Sequence, residues 1–157
     1  MSIFADTGID IEKLKVPEPH KVFLRAQDKW LSTARAKQLP PKGVWTEWGV
    51  MSGRGFGKTR CGAEWLGADA WLDPEALPRA VIAPTYNDVR FTCFEGQAGL
   101  LACIPPELRT YNSSDLVITL TNGATIRGFT SEKPERLRGP EHAAIWCDEI
   151  AAWQYAR

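Results

Sequence analysis

Within Ser52–Thr59, SGRGFGKT, glycines, a lysine and a hydroxyl residue follow one another in the order a triphosphate site requires. Glycines let the backbone wrap closely enough for several N–H groups to point at one set of oxygens, where side chains would block the approach. A lysine then meets the β and γ phosphates, a hydroxyl residue holds magnesium, and a helix beginning at that point turns its partial positive end toward the anion. Ser52, Gly53, Arg54, Gly55, Phe56, Gly57, Lys58 and Thr59 are therefore candidates to bind a nucleotide, with ATP and Mg²⁺ as the ligands and Thr59 as a metal contact. The pattern G-x-x-x-x-G-K-[ST] asks for glycine at 52, where this chain has serine, and the adjacent Gly53 supplies the flexibility instead. The other reading of the stretch is a glycine-rich surface turn.

A second set of residues completes such a site. In AIWCDE an apolar run ends abruptly in Asp148 and Glu149. An aspartate at a strand tip can hold magnesium, usually through water, and a glutamate beside it can polarise the attacking water in phosphoryl transfer. Asp148 takes the metal role and Glu149 the catalytic one. The same two carboxylates also suit the first turn of a helix, EIAAWQ, where they favour its dipole, and both readings can hold together.

These residues need particular elements behind them. A phosphate-binding loop is entered by a strand, placed here at roughly Trp45–Met51, and left by a helix over Lys58–Leu72 with Cys61, Trp65, Ala68 and Leu72 on one face, stopped by Asp73-Pro74. Upstream, residues 1–17 show no period, whereas 20–38 carries Phe23, Gln27, Trp30, Leu31 and Ala34 at helical spacing. LPPKG at 39–43 cannot continue that helix. Ala80–Ala83 reads as a buried parallel strand, followed by a helix opening on a Thr85-x-x-Asp88 cap with Val89, Cys93 and Leu100 on its stripe. Leu116–Leu120, Asn122-Gly123 and ATIRGF form a hairpin. The apolar run before Asp148 reads as a central strand. Alternating strands and helices predict an α/β fold with a mostly parallel sheet flanked by helices and carrying a β-hairpin insertion.

The composition suits one globular domain: 157 residues, 44% hydrophobic and 24% charged. With 19 basic and 19 acidic residues, net charge is silent on nucleic acid, so any DNA contact comes from local patches. Cys61, Cys93, Cys103 and Cys147 stand singly and far from His20 and His142, which predicts reduced thiols and no zinc site. No segment has the run of about 20 apolar residues that spans a bilayer, so no membrane partner is expected and the expected location is the cytoplasm.

Together these motifs resemble the large terminase subunits of tailed bacteriophages, the ATP-driven motors that package DNA into capsids. GRGFGKTRCGAEW at 53–65 is similar to that family's GRGxGKTRxGAEW, and QLPP at 38–41, APTYNDVR at 83–90, SEKPERLRGP at 131–140 and WCDEIAAW at 146–153 follow in the family's order. The resemblance covers Gln38 to Trp153. It implies a P-loop NTPase of the additional-strand, catalytic-glutamate type, in which ATP hydrolysis drives DNA translocation by a ring of subunits in the host cytoplasm. Lys58 and Thr59 then contact phosphate and magnesium, Asp148 coordinates the metal and Glu149 is catalytic. Gln38 matches the adenine-sensing glutamine, or is an ordinary polar residue before a proline turn. Arg54 matches a basic residue approaching the γ phosphate. Arg138 matches a proposed arginine finger reaching a neighbouring subunit's site, or is a solvated loop arginine. Arg90, Lys133 and Arg136 are weaker candidates for DNA phosphates. The implied partners are double-stranded DNA, a small terminase subunit and the capsid portal.

Against the family pattern the chain reads as residues 1–37, an N-terminal extension and helix, and 38–157, a truncated ATPase domain. The C-terminal part of the core and the nuclease domain are expected to be missing, and a homo-oligomeric ring to form only at full length. Two readings stand: the ATP-hydrolysing motor portion of a packaging enzyme, or a prophage remnant that binds nucleotide without turnover. A helicase of the same wider class is disfavoured, since no helicase motif follows CDEI.

Overall fold

A computed structural model describes residues 6–154. Residues 1–5, part of the period-free opening, lie outside the described residues, and the rest of that opening carries one 3-10 turn, Ile11–Lys13. The turn is tied to the first helix, α1 (Glu18–Thr33), by Arg25 paired with Glu12 at 2.8 Å. Helix α1 has a proline in its first turn, where the missing N–H removes no intrahelical bond. It buries Phe23, whose ring stacks on Trp71 with centroids 5.4 Å apart.

The helix is shorter than the 20–38 the sequence predicts. Ser32 Oγ donates to the Asp28 carbonyl at 2.6 Å and Thr33 Oγ1 to the Lys29 carbonyl at 3.0 Å. Hydroxyls bonded back in this way compete with the helical ladder. At Ala34 the backbone turns extended, and a 3-10 turn, Ala36–Gln38, follows.

The strand predicted at Trp45–Met51 does not form. A strand exists only through a ladder with a neighbour, and this segment pairs with none. It is instead laid along the second helix by aromatic contact: Trp45 lies 5.8 Å from Trp65 and 6.2 Å from Trp48, and its indole N–H donates to the Pro41 carbonyl. The glycine loop is thus entered from an irregular segment.

Helix α2 (Lys58–Leu72) begins and ends where its sequence signals place it. It does not present one narrow stripe, however. Cys61, Ala63, Leu66, Ala70 and Trp71 are all buried, and Leu72, expected on the apolar face, is exposed.

Five strands form one sheet in the order β2–β3–β4–β1–β5: β1 is Arg79–Ala83, β2 Arg109–Asn112, β3 Val117–Leu120, β4 Thr125–Thr130 and β5 Ala144–Cys147. Strand β1 is buried along its whole length and runs parallel to β4 on one side and β5 on the other. The sheet is mixed and not mostly parallel, because β2 and β3 join it antiparallel. The Asn122-Gly123 hairpin between β3 and β4 forms as predicted, with Gly123 at φ 97°. Since β4 is itself β1's parallel neighbour, the hairpin belongs to the sheet and is not an insertion.

After β1 the reciprocal Thr85–Asp88 cap forms, Thr85 Oγ1 to Asp88 Oδ2 at 2.7 Å and Asp88 N–H to Thr85 Oγ1 at 3.2 Å. What it opens is a π-helical turn, Asp88–Phe94, and then a short helix α3 (Leu100–Cys103), in place of one long helix. Gly96 and Gly99 make the break: a Cβ on either would stand 2.5–2.7 Å from carbonyl oxygens of the π turn.

Two contacts fix α2 against the sheet. Arg79, fully buried at the start of β1, binds Asp69 through Nε at 2.7 Å and the Asp69 carbonyl through Nη2 at 2.9 Å. At the other end Gly62 faces the indole of Trp146 on β5, so closely that a Cβ there would overlap the ring, with Cδ1 at 2.7 Å. Among the described residues no helix is long and apolar enough to cross a membrane.

A helix-interior glycine replaced by alanine ordinarily gains roughly 0.5–1 kcal/mol. Gly62→Ala reverses that sign here. Overpacking against Trp146 lowers stability by about 1–3 kcal/mol, to be read from the midpoint of urea unfolding.

Candidate functional site

The glycine loop takes its shape from two left-handed residues, Gly55 at φ 74° and Gly57 at φ 90°. Glycine occupies that region without the steric penalty of a Cβ. Gly57 caps α2, and its carbonyl accepts the Cys61 N–H at 3.0 Å, so the unpaired amides of the first helical turn open at the loop. Lys58 folds back across the loop, Nζ donating to the carbonyls of Ser52 at 3.1 Å and Gly53 at 3.4 Å. The Ser52 hydroxyl is buried with no hydrogen-bond partner. Phe56 presents its carbonyl to two donors, Gln38 Nε2 at 2.8 Å and Arg35 Nη2 at 2.6 Å. Arg54 is exposed and Thr59 half-buried, and neither side chain is hydrogen-bonded to another described residue.

Strand β5 delivers the carboxylates. The pairing with β1 continues past its end, Asp148 N–H donating to the Ile82 carbonyl at 2.8 Å, so Asp148 is held in sheet register. Its side chain is 7% exposed and receives one hydrogen bond, from the Cys93 thiol, with Sγ 3.8 Å from Oδ2. Burial raises its pKa, the neighbouring Glu149 charge raises it further, and the Cys93 bond and the Lys58 charge pull it down. Glu149 is exposed, with its backbone in the left-handed region at φ 48°. A helix opening at EIAAWQ shrinks to a 3-10 turn, Ile150–Ala152. Trp153 closes that turn by donating its indole N–H to the Asp148 carbonyl at 2.9 Å.

Helix α2 packs on β5 through Gly62 and Trp146, which sets the loop and Asp148 at the same end of the sheet. The Lys58 ammonium lies within electrostatic reach of Asp148, and Asp88 adds a further negative charge nearby. This is the carboxyl end of parallel strands β1 and β5, where open α/β sheets bind ligands. A cationic loop with free helical amides faces a buried, under-compensated carboxylate, and the orphaned Ser52 hydroxyl adds a polar group awaiting a partner. That donor set suits an anion on the loop with a hard cation between it and Asp148.

Two further sequence candidates are placed differently from each other. Gln38 is buried at the back of the loop, both ends of its carboxamide engaged by protein groups. Arg138 is exposed on the connection between β4 and β5, its backbone N–H bonded to the Glu135 carbonyl at 3.3 Å and its side chain in no hydrogen bond with the loop among the described residues. Three residues around the site escaped the sequence reading: Arg35 and Trp153 by their bonds to loop and turn, and Cys93, placed only on an apolar stripe. Their contacts are long-range or depend on turn geometry, and no local pattern marks them.

The family model for the terminase large subunit, T4likevirus-type, N-terminal, matches residues 50–157. That span contains the glycine loop and both carboxylates; Arg35 and Gln38 precede it. No curated protein and no solved structure matches the chain.

A carboxyl whose folded-state pKa is raised lowers stability as pH climbs through the interval between its unfolded and folded values, so the penalty is absent below the unfolded value and complete above the folded one. Asp148→Asn therefore stabilises the ligand-free chain at pH 7. A gain of about 1 kcal/mol appears as roughly 2–4 °C in melting temperature at this chain length, and it vanishes when the comparison is made below the ordinary carboxylate pKa.

Proposed function

Since this chain belongs, through residues 50–157, to the family of the terminase large subunit's N-terminal region, we propose that it is the ATP-binding and ATP-hydrolysing portion of a motor that drives phage DNA into the capsid. The observation that carries this reading is the left-handed glycine loop at the head of α2, which Gly62 seats on Trp146, two residues before Asp148. In it, the amides of Gly57 and Lys58 and the Lys58 ammonium hold the β and γ phosphates, and Lys58 leaves the Ser52 and Gly53 carbonyls to do so. Thr59 and Asp148 are the residues that would hold Mg²⁺, which supplies charge neutralisation on the phosphate oxygens. Glu149, exposed at the strand tip, orients the attacking water and accepts its proton.

Arg54 and Arg138 enter as transition-state donors. Both are exposed and free of side-chain hydrogen bonds to described residues, which leaves Arg54 able to fold over the γ phosphate of its own site and Arg138 able to reach a neighbouring subunit's. The partners in this reading are double-stranded DNA, a small terminase subunit, the capsid portal and further copies of the full-length chain.

Lys58→Ala is expected to weaken binding of a fluorescent ATP analogue with magnesium by about 10–100-fold, the range for losing charge-assisted phosphate bonds. Equal binding by the two proteins would sink the phosphate-loop assignment. Glu149→Gln keeps nucleotide affinity within about twofold and abolishes phosphate release, because the residue acts on water and not on the bound nucleotide. Release persisting in this variant places the base elsewhere; binding without release in the parent chain favours a nucleotide-holding remnant.

A further inference from the structure

Phe56 is the last residue before the helix-capping glycine, and its carbonyl is held from behind by two side chains. Arg35 Nη2 donates to it at 2.6 Å and Gln38 Nε2 at 2.8 Å. Gln38 is itself fixed by Arg35: its Oε1 accepts the Arg35 backbone N–H at 2.8 Å and Arg35 Nε at 3.2 Å. The Arg35 guanidinium also lies 4.8 Å from the Phe56 ring centroid, a cation–π contact on the same residue. A Cβ on Gly57 would stand 3.0 Å from Gln38 Nε2, so the carboxamide abuts the loop backbone directly.

The peptide plane gives these contacts a consequence. In a trans peptide the carbonyl and the following N–H point in opposite directions. Anchoring the Phe56 carbonyl toward Arg35 and Gln38 therefore turns the Gly57 N–H away from them, to the open side of the loop. Two donors into Oε1 fill the acceptor capacity of the Gln38 carboxamide, and one of its two amide hydrogens is already given to Phe56. Little of Gln38 is left to read a base.

We propose that Arg35 is a positioning residue of the triphosphate site, and that Arg35 and Gln38 together preset the Gly57 amide for phosphate and act on the phosphate chain and not on the base. This rests on the ATP-binding reading above and deepens it. It replaces the adenine-sensing role that the family resemblance implies for Gln38 with a mechanical one.

The test uses the full chain with magnesium and three probes: ATP, GTP and inorganic tripolyphosphate. Arg35→Ala and Gln38→Ala are expected to weaken all three by a common factor of about tenfold, as loss of a preset hydrogen-bonding amide does. In the ligand-free protein, amide exchange across residues 52–60 should quicken in both variants while the melting temperature stays within about 2 °C, a shift of no more than about 1 kcal/mol. Arg35→Met, which keeps the apolar stem against Phe56 and removes the donors, should behave as Arg35→Ala. A loss confined to ATP, with tripolyphosphate unchanged, overturns the proposal in favour of base reading, and so does unaltered exchange in the loop. A parent chain that binds none of the three probes overturns the nucleotide reading itself, and the ligand role of Arg35 and Gln38 with it.

Discussion

The close seating of Gly62 against the Trp146 indole sets the distance on which the candidate site depends. Lys58 lies one helical turn before Gly62 and Asp148 two residues after Trp146, so the separation of the two charges follows from how near helix and strand can come. Any side chain at 62 would hold them apart. The far end of the same helix is fixed by buried Arg79 on Asp69. Between these points Ala63 and Leu66 are fully buried, and a close-packed interior permits little sliding. The helix is thus registered at both ends, and the loop ahead of it is placed as part of a rigid unit.

Strand register does the equivalent for the acidic side. Val81 of β1 stands opposite Trp146, and the pairing runs on through Ile82 to the Asp148 amide. Cys93, from the π turn that follows β1, then meets the Asp148 carboxylate. The turn reaches that position because it packs on the sheet where Gly128 leaves room: a Cβ there would come within 2.6 Å of Val89. Small residues at two crossings, 62 and 128, let helical segments from different parts of the chain close on the carboxyl ends of β1 and β5.

Features governed by neighbouring residues were legible in the sequence. The Thr85–Asp88 cap, the Asn122-Gly123 turn, the start of α2 at Lys58 and the strand ending at Asp148 each depend on chemistry within a few positions. The strand predicted at 45–51 was not, because strand formation needs a partner that no local pattern reveals, and here Trp65 offered the segment an aromatic surface instead. The long helix predicted after Asp88 failed for a related reason. Its stripe was real, since Val89, Cys93 and Leu100 are all buried, but Gly96 and Gly99 let the chain fold back on its own carbonyls between them. Arg35 escaped notice because its partner Phe56 lies 21 positions away.

Glu149 occupies backbone angles that an L-residue reaches at a cost of roughly 1–2 kcal/mol and that glycine reaches freely. Evolution toward thermal robustness alone would drift this position to glycine, and a consensus or computational stabiliser would make the same choice. Under the role proposed for Glu149, resilience and chemistry compete for a single pair of dihedral angles. Under that same proposal, a heat-hardened descendant of this chain would be the one to suspect of having lost its turnover.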